Sequence, residues 1–215
     1  EGQHPHTFPR DFAEGSAPIM TEFIGEVRRM MDRVGRGKGR RLELCVRVTS
    51  SLSGCRRVGL DPEEWHRRGY LDFLTVGRFL KLHYALPIAE YQQALPGLPV
   101  CSTLEYILGG SGAHGVYIYP RDGTAEAYRG AAAAHYAQGS DGIYLFNLYV
   151  TRGNGLDPSG RDWSHTEPVE VLREIGDPAT LEGTEQLYLV DTVYDRFDVR
   201  FIDAKEPLPA AGTPD

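Results

Sequence analysis

The segment VCSTLEYILGG, residues 100–110, runs from apolar and β-branched residues through a carboxylate into two glycines. This composition predicts a buried strand over residues 100–106 that ends where a flexible loop begins. Glu105 stands at this strand end. A carboxylate in such a place either pairs with a cation inside the structure or takes part in a functional site, and the rest of the sequence bears on the choice.

Three other segments have the apolar or alternating pattern of strands, namely residues 41–49, 71–76 and 142–149. Helical patterns precede, separate and follow the strands, at residues 17–34, 52–58, 62–68, 87–94, 124–138 and 168–175. The sequence from Leu60 to Trp65 is typical of a helix start, with Asp61 as the N-cap. Strands that alternate with helices predict βαβ units and a parallel sheet.

The bulk composition indicates an ordinary globular chain. Hydrophobic residues make up 41% of its 215 residues and charged residues 25%, with a formal net charge of -7. Non-specific nucleic-acid binding needs clustered Lys and Arg, so this charge balance argues against nucleic acid as a partner. The one basic stretch, Arg36–Arg41, is interpreted as a solvated loop, with an anion site as the alternative. The sequence has no run of about 18 apolar residues, so we expect no membrane span.

The order of several segments resembles the family-10-like glycoside hydrolases of bacteria, which are (β/α)8-barrel proteins. The segments are HPHTFPRDF (4–12), PIMTEFIGEVRRMMD (18–32), RLELCVRV (41–48), GLDPEEWHRRGYLDFL (59–74), LEY (104–106), AQGSDGIYLFN (137–147) and LREIGDPATL (172–181). The likeness extends over about residues 4–190 and depends on the order of the segments, because no single motif among them is diagnostic.

This resemblance implies an α/β fold in which residues 1–185 form the C-terminal half of a (β/α)8 TIM barrel. Residues 187–202 have the pattern of β structure, so residues 186–215 would be the start of a β-rich extension with a flexible tail. The barrel strands present would be the fifth to the eighth. Strands one to four would then belong upstream, so we expect a partner, either the missing N-terminal half-barrel or a second copy of the chain. Half a barrel exposes strand edges and core, which is a liability in isolation.

The resemblance also implies hydrolysis of a poly- or oligosaccharide without a cofactor. Barrel enzymes carry their chemistry at the carboxyl ends of the strands, and glycosidases use two carboxyl groups across the scissile bond. Glu105 would end the seventh strand, where many barrel glycosidases have their nucleophile, and it would be the base if the enzyme inverts. The second carboxylate stays open, with Glu1, Asp11 and Glu90 as candidates.

Other strand ends offer candidates for sugar binding. Arg47 would orient a carboxylate or hold a sugar hydroxyl, with an ion pair inside the barrel as the alternative. Aromatic, phenol and amide groups suit sugar rings and hydroxyls, so Tyr106, Asn147 and Tyr149 are candidates, each with packing as the alternative. His4 would line the rim of the pocket. Thr75 and Arg78, at the end of the 71–76 strand, are further candidates for sugar binding and rank below the others.

The sequence also allows two other functions. His4, His6 and Asp11 would form a metal site for a metal-dependent hydrolase, but HPH has no accompanying third-ligand pattern, and we expect no metal. The protein would otherwise be a non-catalytic carbohydrate-binding or scaffold barrel that has kept the fold and lost the chemistry, because a fold alone does not imply a function. A second carboxylate near Glu105 would favour hydrolysis over binding.

Overall fold

The protein, as a computed structural model, is described over residues 15–78, 82–105, 107–108, 121–122, 124–146, 152–156, 162–164 and 169–188. The first described helix, α1 (Ala17–Gly37), precedes β1 (Cys45–Val48), α2 (Leu52–Arg57), α3 (Pro62–Arg67), β2 (Phe73–Val76), α4 (Ile88–Ala94) and β3 (Val100–Leu104). Then come β4 (Ile107–Leu108), β5 (Arg121–Asp122), α5 (Ala125–Ala137), β6 (Gly142–Leu145), β7 (Arg152–Leu156) and β8 (Asp162–Ser164). Two 3₁₀ helices, Val169–Arg173 and Pro178–Leu181, follow.

Four of these strands form one parallel sheet whose strand order, β1-β2-β3-β6, is the order of the chain. One row across the sheet joins Arg47 to Thr75, Thr75 to Cys101 and Cys101 to Gly142. Crossovers between parallel strands are right-handed in about 98% of cases, so connections that all run in one sense put their helices on one face. The predicted α/β fold with alternating strands and helices is confirmed.

The helix-covered face of the sheet carries the hydrophobic core. Val48, Leu74, Val76 and Val100 are at most 3% exposed and belong to one cluster with Trp65 of α3. A second cluster contains Leu104, four buried alanines of α5 and, from the C-terminal segment, Val171, Ile175 and Leu181. Each fully buried side chain of this size contributes about 1.5–3 kcal/mol. β3 therefore contributes to both clusters, through Val100 in one and Leu104 in the other.

Local capping explains where the helices begin. The Asp61 carboxylate accepts a hydrogen bond of 3.0 Å from the backbone N–H of Glu64, as the sequence predicts. Thr124 accepts one of 3.3 Å from the N–H of Ala127 at the start of α5. A cap of this kind contributes about 1 kcal/mol, because it satisfies an amide that the helix leaves unbonded. α3 is further held to α1, since the indole of Trp65 donates a hydrogen bond of 3.0 Å to the Thr21 hydroxyl.

Near the C-terminus the structure differs from the helical prediction for residues 168–175. The chain forms a 3₁₀ helix over Val169–Arg173 and a second one over Pro178–Leu181. Pro178 has no amide hydrogen to continue a helix, and Gly176 costs more backbone entropy than other residues when it is ordered, so a regular α-helix does not extend through this segment. Of the β segment predicted over residues 187–202, only 187–188 are described, and they are not in a strand. The remainder lies outside the described residues.

His135 of α5 is a buried titratable group, with none of its surface exposed. Burial lowers the pKa of His135 to about 4, and a contact with the backbone of His83 opposes this shift only in part. In an unfolded chain the pKa of a histidine is about 6.5, so between those two values the unfolded state binds a proton that the folded state does not. The stability that neutral His135 contributes is complete above about pH 6.5 and is lost as the pH falls towards 4, by roughly 3 kcal/mol in all.

We therefore expect His135→Leu to flatten the acid side of the stability profile. Denaturant unfolding of the parent chain near pH 7.5 and near pH 4.5 should show a large drop in the free energy of unfolding, and the variant should lose most of that drop. His66→Gln, at a partly exposed position of α3, is the matched control and should keep the parent's pH dependence. If His135→Leu loses as much stability at low pH as the parent does, a group other than His135 takes up the proton.

Candidate active site

Glu105 follows β3 directly, and its side chain is fully buried. Side chains alternate between the two faces of a strand, so Cys101, Thr103 and Glu105 lie on the face opposite to the helix-covered core. The Glu105 carboxylate accepts a short hydrogen bond from the Arg47 guanidinium and forms an ion pair with it. These two residues are 58 positions apart in the sequence, and β2 separates their strands in the sheet.

Arg47 connects the carboxyl ends of all four strands of the parallel sheet. Besides bonding Glu105, its Nη2 donates a hydrogen bond of 2.8 Å to the carbonyl oxygen of Arg78, which follows β2. Its guanidinium carbon lies 4.0 Å from the centroid of the Phe146 ring, which follows β6. The backbone N–H of Phe146 in turn donates to the carbonyl of Leu104 at 3.0 Å. Arg47 is thus fixed by a carboxylate, a carbonyl and an aromatic face at the same edge of the sheet.

The chemistry of these contacts suits arginine and not lysine. The planar guanidinium has several donors and can also lie flat on an aromatic ring, so it can serve all three neighbours at once. Cation–π contacts of this kind contribute about 0.5–2 kcal/mol, with the larger values at desolvated positions. The Arg47 side chain is 22% exposed, whereas Glu105 has no exposed surface. A molecule approaching this edge of the sheet would therefore meet Arg47 before Glu105.

Small and hydroxyl side chains lie beneath the ion pair on the same face. Thr75 and Thr103 are both buried. A Cβ atom on Gly77 would lie 2.5 Å from the Cβ of Thr103, so only glycine fits where the chain leaves β2 beside β3. This close approach brings the carbonyl of Arg78, one residue later, within reach of Arg47.

The contact between Arg47 and Glu105 determines what the carboxyl group can do chemically. A cation in direct contact favours the ionised form of a carboxyl group, whereas complete burial favours the protonated form. An ionised carboxylate can act as a nucleophile or as a base, whereas a general acid must start protonated. An ionised Glu105, held by the Arg47 guanidinium, would be suited to attack or to proton abstraction.

Two of the predicted site residues lie within the described part of the chain, and they contact each other. Glu105 and Arg47 are in contact, and Arg78 takes part through its backbone. The remaining predicted site residues, Tyr106, Asn147, Tyr149 and His4, lie outside the described residues, as do His6, Asp11 and Glu1. Glu90 lies on α4 and accepts a hydrogen bond of 3.2 Å from the backbone N–H of Leu52, so it supports the start of α2.

Phe146 was not predicted as a site residue, whereas Asn147 and Tyr149, which follow it, were. A signal was nevertheless present, because side chains alternate between the two faces of a strand. Phe146 is two residues after Tyr144 and so lies on the same face, which is also the face of Cys101 and Thr103. This alternation alone does not predict that Arg47, on a strand at the other end of the sheet, reaches the Phe146 ring.

Within the described ranges, no group of three or more His, Cys, Asp or Glu side chains is arranged to hold a metal ion. The described helices include none with the length and apolar character needed to cross a membrane. No family model matches the sequence, and no curated protein matches it either. What can be inferred about function therefore depends on the contacts at the carboxyl end of the sheet and on the segment order of the chain.

Proposed function

We propose that the chain is the C-terminal half of a (β/α)8 barrel and that it hydrolyses glycosidic bonds of a poly- or oligosaccharide. Glu105 would be one of the two carboxyl groups that this reaction needs. The observation that carries the proposal is the buried Glu105–Arg47 pair at the carboxyl end of four parallel strands. In barrel enzymes the catalytic residues come from the carboxyl ends of several strands, which is where this pair lies.

The order of the strands supports the half-barrel. A doubly wound sheet reverses its strand order at one point, which places helices on both faces and a binding crevice at the reversal. The four strands here keep one order throughout, as neighbouring strands of a barrel do. The succession of sequence segments that resembles the family-10-like glycoside hydrolases supports the same assignment.

Two reaction courses suit an ionised Glu105. In a retaining enzyme its carboxylate oxygen attacks the anomeric carbon while the bond to the leaving oxygen breaks and an acid protonates that oxygen; water then hydrolyses the glycosyl-enzyme ester. In an inverting enzyme Glu105 instead removes a proton from the water that attacks the anomeric carbon. Arg47 would hold the carboxylate in place in both courses. Tyr106, Asn147, Tyr149 and His4 remain the proposed contacts of the sugar.

A hydrolysis panel tests the proposal directly. The chain is incubated with aryl glycosides and with soluble polysaccharides, release of chromophore and of reducing ends is followed, and sugar binding is measured in parallel by calorimetry. Hydrolysis of at least one substrate class is the expected result, and the anomeric configuration of the first product then separates the nucleophile from the base. An absence of both hydrolysis and sugar binding across the whole panel would contradict the proposal.

A carbohydrate-binding or scaffold barrel is the second candidate, and one observation favours it. Glu105 has no exposed surface and is already paired with Arg47, as a carboxylate that only holds strand ends together would be. In that case the panel should show saturable sugar binding with no bond cleavage. The two candidates thus differ in a single readout from the same samples.

A further inference from the structure

We propose that the turn between α1 and β1 is a binding site for an anionic polysaccharide, such as a polymer of uronate or sulfated sugars. The turn comprises residues 33–41, RVGRGKGRR, and is called the cationic turn because five of its nine residues are Arg or Lys. The choice of a polysaccharide rests on the proposed function. The cationic turn adds a second place on the protein where that polymer binds, and it specifies the sign of the polymer's charge.

Four cations of the cationic turn have no carboxylate partner. They lie at exposed positions and form no ion pair with any residue that the structure describes, and they are Arg33, Arg36, Lys38 and Arg40. Asp32 and Asp72, which lie beside the turn, are already bonded, since Asp32 pairs with Arg28, and Asp72 pairs with both Arg28 and Arg41. The exposed cations therefore form a local excess of positive charge.

The backbone of the cationic turn is fixed before any ligand binds. The N–H of Arg40 donates to the carbonyl of Gly35 at 3.1 Å, and the N–H of Gly39 donates to the carbonyl of Arg36 at 3.2 Å, which is the Schellman ending of a helix. Gly39 has a φ of 64°, which favours glycine. A Cβ atom on Gly35 would lie 2.5 Å from the carbonyl oxygen of Arg40, so only glycine fits there. A backbone that is already ordered lowers the entropy cost of binding.

The cationic turn is also fastened to the sheet. The Nε of Arg41 donates a hydrogen bond of 2.7 Å to the Asp72 carboxylate, which lies just before β2. The Nη2 of Arg28 donates one of 2.8 Å to the carbonyl of Leu42. Arg41 therefore holds the turn in place, and the four exposed cations are left for a ligand.

The cationic turn lies at the amino end of the sheet, whereas Glu105 lies at the carboxyl end. The turn leads into β1, and Arg47 is six residues beyond Arg41. At about 3.3 Å per extended residue, the turn lies on the order of 20 Å from the Arg47–Glu105 pair. A polymer held at the turn is not held at the bond that is cleaved, so charge changes in the turn should leave kcat on short aryl glycosides unchanged.

The net charge of the chain favours a flexible polymer over a broad anionic surface. The cationic turn carries a formal charge of +5 and the whole chain -7, so the rest of the chain carries -12. A lipid bilayer or a DNA duplex presents negative charge over a wide area, so docking on it would also bring this acidic remainder close. A single polysaccharide chain can follow the four exposed cations and leave the remainder in solvent. The charge balance therefore favours a polysaccharide over nucleic acid or a lipid surface.

Binding of anionic and neutral polymers tests the site. Fluorescently labelled dextran sulfate and polygalacturonate are titrated with the chain at about 20 mM salt, where charges are weakly screened, and uncharged dextran is the comparison. We expect dissociation constants in the micromolar range for the anionic polymers and no measurable binding of dextran. Raising the salt to about 200 mM should weaken binding of the anionic polymers at least about tenfold.

A double charge reversal, Arg36→Glu with Lys38→Glu, should raise the dissociation constant for the anionic polymers at least about tenfold. Both positions are exposed, so the variant should stay folded, which circular dichroism checks. Arg67→Glu with Arg173→Glu makes the same change in net charge at exposed positions outside the turn and is the matched control. The dissociation constant of this control should stay within about twofold of the parent's.

Equal binding of dextran and dextran sulfate would overturn the proposal, and so would a dissociation constant that the double charge reversal leaves unchanged. Tighter binding of duplex DNA or of phosphatidylserine vesicles than of either anionic polysaccharide would also overturn it. Hydrolysis is measured separately, so the two proposals fail separately. Binding at the cationic turn with no cleavage on the glycoside panel leaves this site standing and removes the glycosidase, whereas cleavage without binding of the anionic polymers does the reverse.

Discussion

Glu105→Gln is expected to lower kcat on any glycoside that the protein hydrolyses by about a thousandfold or more, with a much smaller change in KM. Gln keeps the shape of the side chain and can still accept a hydrogen bond from Arg47, but it cannot act as an ionised nucleophile or base. The loss should therefore fall on the chemical step, because ground-state binding of the sugar does not require the negative charge. The measurement is initial rate against substrate concentration on the best substrate of the panel.

Two further variants make this result interpretable. Glu174→Gln removes a carboxylate from another Arg–Glu pair, with Arg129, whose contacts of 2.6 and 3.1 Å lie at α5 and away from the site, and its kcat should match the parent. Glu105→Asp keeps the charge beside Arg47 but withdraws the carboxylate by one methylene, so it should stay folded and still lose activity. Full activity in Glu105→Gln would remove Glu105 from the reaction and leave it a structural role.

Arg47→Met is expected to lower the free energy of unfolding by about 3–5 kcal/mol, because it removes the guanidinium that forms an ion pair with the buried Glu105 carboxylate. Met has similar length and can still pack on the Phe146 ring, so the loss of stability should come from the lost ion pair and the lost hydrogen bonds. Denaturant unfolding near neutral pH measures it. Arg29→Met removes an exposed pair with Glu22 and is the control, for which we expect a change within about 0.5 kcal/mol.

A double variant separates the lost ion pair from lost packing. Arg47→Met together with Glu105→Leu replaces both charges by apolar groups, and such replacements of buried pairs are often neutral or stabilising. Most of the stability lost in Arg47→Met should therefore return in the double variant. If the double variant is as unstable as the single one, the arginine stabilises the sheet through Phe146 and the Arg78 carbonyl, and not through Glu105.

Much of the fold could be predicted from the sequence because the signals are local. The parallel sheet strands were found from runs of apolar and β-branched residues, and Asp61 indicated the start of α3 by its position before Pro62. The observed strands are shorter than predicted, since β1 covers only Cys45–Val48 within the predicted 41–49. Strand ends depend on which amides find partners in the neighbouring strand, and a single segment does not contain that information.

The site was less predictable because its contacts are not local. Alternation along β3 places Glu105 on the face opposite to the core, and alternation along β1 does the same for Arg47, but neither pattern says that the two side chains meet across β2. An ion pair was one of the predicted alternatives for Arg47 and for Glu105 separately, and in the structure the two residues pair with each other. Phe146 and the Arg78 carbonyl became partners only through the twist and register of the whole sheet.

The position of β3 between the two hydrophobic clusters has a consequence for how the molecule opens. One cluster joins α1, α3 and α4 to the first three strands, and the other joins α5 and the 3₁₀ helices to Leu104 and β6. Within the described part of the chain, each strand of the parallel sheet also pairs only with the preceding and following strands of that sheet, as successive units do in repeat proteins. We therefore expect the second cluster to unfold locally while the first stays folded, with β3 as the boundary between two cooperative units. Because Glu105 follows that boundary strand directly, each sub-global opening of the second unit would separate Phe146 from Arg47 and expose the carboxylate to solvent.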